Sequence, residues 1–399
     1  LAYVGGTVSP EMQLPKIMWV KQNLPEVWAR VGAIVDLADY LTFRATGNRA
    51  RSACTLTAKW NYLNHQASGW DAPLLAACDL TDLATTAGIP AGVAQTGSTI
   101  GTLTPEAAGA FGLKTGCRVA AGMIDAFAGA LSLTGAEPAA ADEVSLIGGT
   151  SSCVMRFSQQ PHFIPSFWGP YWGAALNDHW VIEGGQSATG ALLDHLIRTH
   201  MGCEPDIDRH HQILDRIRQR LARDTAFGAD MHVLPDFHGN RAPLGTPDSV
   251  GVIHGLRLDS SLDGLAMVYH RTMVALALGI RQILETMEQS GNPIRSLHLG
   301  GGHANNALLA QLYADVTGKD VIVSSGDEAM LLGTAMCAAT AAGWYPSLAA
   351  SAQAMKRPTR TLTADRTKAQ ALERDYRTFL TMQAHRQEIE RISKDPVTP

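Results

Sequence analysis

The 399-residue chain is longer than one hydrophobic core usually organises, so two domains are expected. Hydrophobic residues at 46% against 17% charged supply enough apolar area to offset ordering entropy, which excludes a disordered chain. A formal net charge of −5 without any long basic run excludes the electrostatic footprint of a nucleic-acid binder.

In chain order, LAYVGGTVSPEMQLPK shows neither a charged n-region nor a continuous h-region, so no signal peptide is expected. Amphipathic helices are predicted around Lys16 to Asn23 and Trp28 to Thr46, where Val31, Ile34, Val35, Ala38 and Leu41 repeat at helical spacing. Gly116 to Leu133 reads as a short strand, Val119 to Gly122, and a helix of small residues with Asp125 at the junction. Gly135 to Asp142 is Ala/Pro-rich and aperiodic, the best candidate for a linker and the expected domain boundary. EVSLIGGTSSCVMRF predicts a hairpin about the turn Gly148 to Ser151, its register set by the alternation of Cys153, Met155 and Phe157.

A long helix is predicted from Leu262 to Gln289. Leu297 to Val323 then reads as a βαβ unit: strand, triple-glycine turn, a helix with Leu308, Leu309, Leu312, Tyr313 and Val316 on one face, a Gly318 cap, and a second strand. Ala329 to Met355 is uncharged, but its Ala, Gly, Ser and Thr content and the break at Gly343 to Pro346 predict a buried helix rather than a membrane span. From Lys368 the polar tail predicts a helical surface segment. The cysteines, Cys54, Cys78, Cys117, Cys153, Cys203 and Cys337, form no C-x-x-C pair and no N-x-[ST] acceptor occurs, which together favour a reducing cytoplasm.

Several chemistries fail on spelling. Gly318-Lys319-Asp320 lacks the loop and hydroxyl of a Walker A motif, the Gly300 to Gly302 turn lacks the spacing of a dinucleotide fold, and GQSATG misses a nucleophile elbow by one position. His195, His200, His210 and His211 lack metal-ligand spacing and read as surface or capping residues. Three glycine-rich turns remain, each directly after a strand: Gly122 before Asp125, Gly148 to Ser152, and Gly300 to Gly302. Each alone reads as a turn former. Together, in two halves of one chain with a carboxylate between them, they are the parts needed to hold a nucleotide and activate a nucleophile.

YVGGTVSPEMQLPKIMWVKQNLPEVW, GMIDAFAGAL, IGGTSS, GGQSATGALLDHL, LPDFHGNRAPLGTP and LGGGHANNALLAQLYADVTG resemble, in order, the motifs of the FGGY carbohydrate kinases, from Leu1 to about Arg391. TLTAKW with FHGNR is similar to the D-ribulokinase branch. The resemblance implies an α/β fold of two actin-like (ribonuclease H-like) domains with mixed sheets flanked by helices, residues 1–138 and 143–399, closing on ATP and a sugar. It implies an ATP- and Mg²⁺-dependent kinase acting on the primary hydroxyl of a ketopentose, D-ribulose to D-ribulose 5-phosphate, with a small sugar as partner, no nucleic acid or membrane, and a homodimer left open.

By the same resemblance Asp125 is the catalytic base and touches the sugar, Gly149, Thr150 and Ser151 contact the terminal phosphates, and Gly301, Gly302 and Asn305 bind adenosine. Lys59 and Glu183 contact ketose hydroxyls, and Asn240 and Arg241 lie in the loop closing the cleft. On the residues alone, Asp125 also reads as a helix N-cap, Lys59 as a solvated lysine, Glu183 as a strand-end residue, and Trp168, Trp172 and Trp180 as packing. The family's D-x-G-T-x-S hairpin is not found in the sequence. The expectation is therefore a first domain lacking its N-terminal part, with no metal ligand assigned and a non-catalytic binding module as the alternative.

Overall fold

The Gly148 to Ser151 turn seeds the main sheet. In the computed structural model, which describes residues 1–89, 93–137, 142–291, 293–324 and 328–394, β1 (Glu143–Gly148) and β2 (Ser152–Ser158) run antiparallel with Ile147 opposite Cys153. The alternation divides two cores. Val154 packs with Val144 and Leu146 on one side, and Met155 and Phe157 pack with Phe127, Trp168 and Tyr171 on the other.

β3 (Trp168–Trp172), β4 (Trp180–Gln186), β5 (Ser296–Gly300), β6 (Asp320–Ser324) and β7 (Thr359–Leu362) complete a sheet ordered β7-β6-β5-β1-β2-β4-β3. It is mixed: β5 is parallel to β1 and β6, and the remaining pairs are antiparallel. The β5-β6 crossover is the predicted helix, Ala307–Thr317, ended by Gly318 at φ +67°. The predicted long helix spans Leu262–Gln289, started by Ser261 accepting from the Gly264 N–H. From Val268 to Ile280 every residue is buried, the behaviour of a helix apolar on nearly all sides.

Residues before Asp125 are built differently. Among the described residues their strands form two pairs only, Arg51–Ser52 parallel to Val93–Ala94 and Thr99–Thr102 antiparallel to Arg118–Ala120. A small cluster of Leu14, Ile17, Leu56, Trp60, Leu80 and Leu83 sits beside a buried polar network. Asp39 accepts from Arg51 Nε (2.9 Å), Thr55 Oγ1 (2.7 Å) and the Ser52 N–H (2.9 Å). Asp36 accepts from Trp60 Nε1 and Gln13 Nε2, both at 2.5 Å. The network corrects the helix predicted over Trp28 to Thr46, which begins only at Leu37 after a short turn at Pro25–Trp28. Arg51 takes the Ile34 carbonyl (2.6 Å) and Asp36 is extended, so the backbone around Ile34 serves the guanidinium instead of a helix. Val35 and Leu41, expected on one apolar face of that helix, are exposed.

The two parts meet where helix Asp125–Thr134 packs on helix Ala329–Ala341, and a Cβ at Gly333 would overlap the Ala128 carbonyl. Of the expected linker, residues 138–141 lie outside the described residues. The chain's first residues dock on the later sheet: Val4 bridges to Gly169, the Gly169 N–H donates to the Tyr3 carbonyl (3.1 Å), and Tyr3 stacks on Trp180. The uncharged stretch forms two helices, Ala329–Ala341 and Leu348–Ala354, and among the described residues no helix is long and apolar enough to cross a membrane. The tail helix, Ala369–Ser393, is more than the expected surface segment. It buries Leu372, Tyr376, Phe379 and Arg386, the last paired with Asp236 at 2.5 Å.

Candidate functional site

Two groups of expected site residues form on opposite sides of the β1-β2 turn. The first centres on Trp168, which β3 places opposite Glu183 of β4. Lys59, the last residue of helix Ala53–Lys59, holds its ammonium 4.9 Å from the Trp168 ring centroid, and the Arg241 guanidinium lies 4.5 Å from the same ring. One indole thus carries two cations.

Arg241 also reaches three other groups. Nη1 lies 3.9 Å from Glu183 Oε1 and donates to Cys153 Sγ (3.8 Å), while Nη2 grips both oxygens of Glu11 at 3.0 and 3.2 Å. Glu183 is only 4% exposed, so its charge needs these partners. Burial, reinforced by the Glu183 charge, pushes the Cys153 thiol and the Tyr171 phenol well above their ordinary values, and both stay protonated. Burial works against the Arg241 charge, but Cys153, Glu183 and Glu11 outweigh it and hold the group firmly protonated.

The loop carrying Arg241 is pinned from behind. Asn240 donates to Asp236 (3.0 Å) and accepts from the Leu244 N–H (3.1 Å), and the Ala242 N–H donates to the Gly185 carbonyl (3.2 Å). Asp236, its carboxyl raised by burial against the opposing pull of Arg386, ties the loop to the tail helix.

The second group is a cavity of about 260 Å³ lined by Gly149, Thr150, Gly190, Ala191, Gly302 and Asn305, among others. The glycine turn rests on the start of helix Gly190–Met201. The Gly190 N–H donates to the Gly149 carbonyl (2.9 Å), the Ala191 N–H to that of Thr150 (3.2 Å), and the Thr189 hydroxyl bridges Ser152 and the Gly149 carbonyl at 3.0 Å each. Ser151 is not in the cavity wall; its carbonyl accepts from the Gly149 N–H (2.8 Å). Gly301, at φ +77° and pressed on the Gly148 carbonyl, faces a different cavity of about 620 Å³. His303 fills the space against Gly148, its Nδ1 2.9 Å from the Tyr313 hydroxyl, and burial lowers its pKa to about 4.

Asp125 is exposed at the first position of its helix, its Oδ1 accepting from the Ala126 N–H at 2.7 Å. It is not the helix's N-cap, since Ile124 holds that position without a side-chain cap. Phe127, two residues on, lies 6.3 Å from Tyr171, which seats this helix start on the core that also holds Trp168. Glu11 and Cys153 were not singled out as site residues from the sequence; Glu11 carries no local signal, whereas Cys153 lay in the alternation that set the hairpin register.

Solved structures that this fold resembles include carbohydrate kinases. A xylulose kinase from Rhodospirillum rubrum superimposes with a TM-score of 0.76 at 23% identity, over 98% of this chain and 75% of its own. A gluconate kinase from Lactobacillus acidophilus gives 0.78 at 19%, over 96% and 74%. Residues 2–132 match the N-terminal domain of the FGGY family of carbohydrate kinases, and residues 144–342 its C-terminal domain. The chain belongs to this family and is a sugar kinase, an enzyme that moves a phosphoryl group to an alcohol. An FGGY carbohydrate kinase domain-containing protein from Xenopus laevis is 39% identical over 98% of this chain and 75% of its own length. A D-ribulokinase from Saccharomyces cerevisiae is 32% identical over 86% and 54%.

Proposed function

We propose that the chain phosphorylates the primary hydroxyl of a ketopentose, D-ribulose to D-ribulose 5-phosphate, with ATP as donor. The carrying observation is that Lys59 and Glu183, far apart in sequence, meet through Trp168 and Arg241 in one buried polar cluster. Likeness to a D-ribulokinase supports the choice of sugar. In this reading Lys59, Glu183 and Arg241 pair with ketose hydroxyls, and Asp125 accepts the proton of the attacking hydroxyl. A loose phosphoryl-transfer transition state needs that proton removed only late, so positioning does most of the catalysis.

Gly149, Thr150 and Ser151 serve the terminal phosphates, and Gly301, Gly302 and Asn305 the adenosine. Residues 1–138 and 143–399 are the two domains, with the first residues docked across the boundary. Among the described residues no group of three His, Cys, Asp or Glu side chains is placed to hold a metal ion. A Mg²⁺ ion bound with the nucleotide would neutralise the charge of its phosphates.

A polar pocket that pairs each hydroxyl rejects analogues by roughly 10⁴. In a coupled assay D-ribulose should exceed glycerol and aldohexoses by about that factor in kcat/KM; a preference for glycerol would overturn the choice of sugar.

A further inference from the structure

The tail helix, Ala369–Ser393, lies beyond residues 144–342, where the family's C-terminal domain is matched, yet it reaches the loop that carries Arg241. It is fixed on the long helix Leu262–Gln289 by polar contacts. Gln282 and Gln383 exchange amide hydrogen bonds at 2.9 and 3.1 Å, and the Tyr376 hydroxyl donates to Glu285 at 2.6 Å. The reciprocal amide pair sets the position of the tail helix along its neighbour.

Arg386, about one turn beyond Gln383 and only 3% exposed, uses one nitrogen at both feet of the loop. Its Nη1 donates to Asp236 Oδ2 at 2.5 Å, where the loop opens, and to the Val250 carbonyl at 3.1 Å, where it closes. Between these feet Asn240 and Thr246 exchange backbone bonds, each N–H on the other's carbonyl at 2.9 Å. Asn240 Nδ2 donates to the second oxygen of Asp236 at 3.0 Å. The route from Arg386 to Arg241 therefore runs through Asp236 and Asn240, the residue next to Arg241 in the chain. Phe379 of the tail helix lines, with Gly185, Asn240 and Arg241 among others, a cavity of only about 10 Å³. That is room for no more than one water, so the loop cannot retreat toward the helix.

We infer that Arg386 is a positioning residue for the sugar: by clamping both feet of the loop it holds Arg241 over Trp168 and beside Glu183, and so sets the affinity for the substrate's hydroxyls. The inference rests on the reading of the Lys59, Glu183 and Arg241 cluster as the sugar site. Arg386 acts through Asp236 and Asn240 and does not touch the sugar. What it controls is where the Arg241 guanidinium stands, 4.5 Å from the Trp168 ring and 3.9 Å from Glu183 Oε1. A binding group displaced by about 1 Å forfeits up to roughly 10² in its effect.

The test is titration calorimetry of the full chain with D-ribulose and, separately, with ADP, which needs no turnover. Arg386→Met should weaken D-ribulose binding by about tenfold or more and leave ADP affinity unchanged. Arg386→Lys places one ammonium, with three donors, where one nitrogen served both feet, and should recover most of the loss. Arg241→Met should itself weaken D-ribulose binding, and adding Arg386→Met to it should cost nothing further, because the clamp has nothing left to place. Circular dichroism checks folding. Should Arg386→Met not fold, Asp236→Asn combined with Arg386→Met leaves no lone buried carboxylate and is held to the same outcomes. A folded variant that binds D-ribulose as the wild type does overturns the inference, and so does an equal loss for ADP and D-ribulose, the mark of general destabilisation. If the wild type binds no D-ribulose, or Arg241→Met binds it unchanged, the reading of the cluster fails and the inference with it.

Discussion

Residues before Asp125 and residues after Asp142 hold their shape by different forces. The later part has a seven-stranded sheet with apolar clusters on both faces and a helix buried on nearly all sides, so its geometry follows from area removed from water. The earlier part has two strand pairs, a modest apolar cluster, and a buried guanidinium shared between two carboxylates. Lys59 hangs from this second kind of construction, and Glu183 from the first. Half of the proposed sugar cluster is thus positioned by electrostatics and half by packing, which makes the two halves separately breakable.

The largest expected effect tests whether the parts divide chemistry from binding. Asp125→Asn keeps the shape but cannot take a proton, and turnover should fall by roughly 10² to 10⁴ with ADP affinity unchanged. Near-normal turnover would remove Asp125 from the mechanism.

Next comes the network that holds the earlier part. Arg51→Met leaves Asp39, itself 2% exposed, without its cation, and should destabilise that part by about 3–5 kcal/mol. Hydrogen exchange should show protection lost around helix Ala53–Lys59 and retained in β1, β2 and β5. Equal loss everywhere would mean the two parts unfold as one unit and the contrast is only descriptive.

Gly333→Ala probes the seam between them. With the Ala128 carbonyl in the way the helices must separate, at a cost of about 1–3 kcal/mol, seen as a lower thermal midpoint. An unchanged midpoint would show that the seam gives easily.

The smallest effect is on the pH profile. Burial lowers His303, and likewise His270, from the ordinary 6.5 to about 4. Between those values the unfolded chain binds more protons than the folded one, so stability falls as pH drops through that window and levels below it. The slope of unfolding free energy against pH should be shallower in His303→Gln than in the wild type. Equal slopes would mean that His303 titrates alike in both states.

The same contrast explains what could be read from the sequence. The hairpin about Gly148 to Ser151, the helix Leu262–Gln289 and the unit from β5 to β6 were legible because apolar periodicity both encodes and stabilises them. The helix expected from Trp28 failed because Arg51, fifteen residues or more away, claims the Ile34 carbonyl and Asp36, which no local period records. Within the candidate site the glycine turns were legible one by one, since each needs its residue type locally. The cavity separates what the triple glycine joined, with Gly302 in one wall and Gly301 facing away. Glu11 and Arg386 gain their roles only from partners brought near by the whole fold, and nothing in their own neighbourhoods announces them.

The docking of the first residues onto β3 has a consequence for how the chain is made. Tyr3, Val4 and Gly5 find their partners at Ser166, Gly169 and Trp180, more than 160 residues downstream. At about 5–20 residues per second of synthesis, this segment waits on the order of ten seconds or more before its place exists. It is made long before the strand that seats it, and it closes over an edge that the later part has already built.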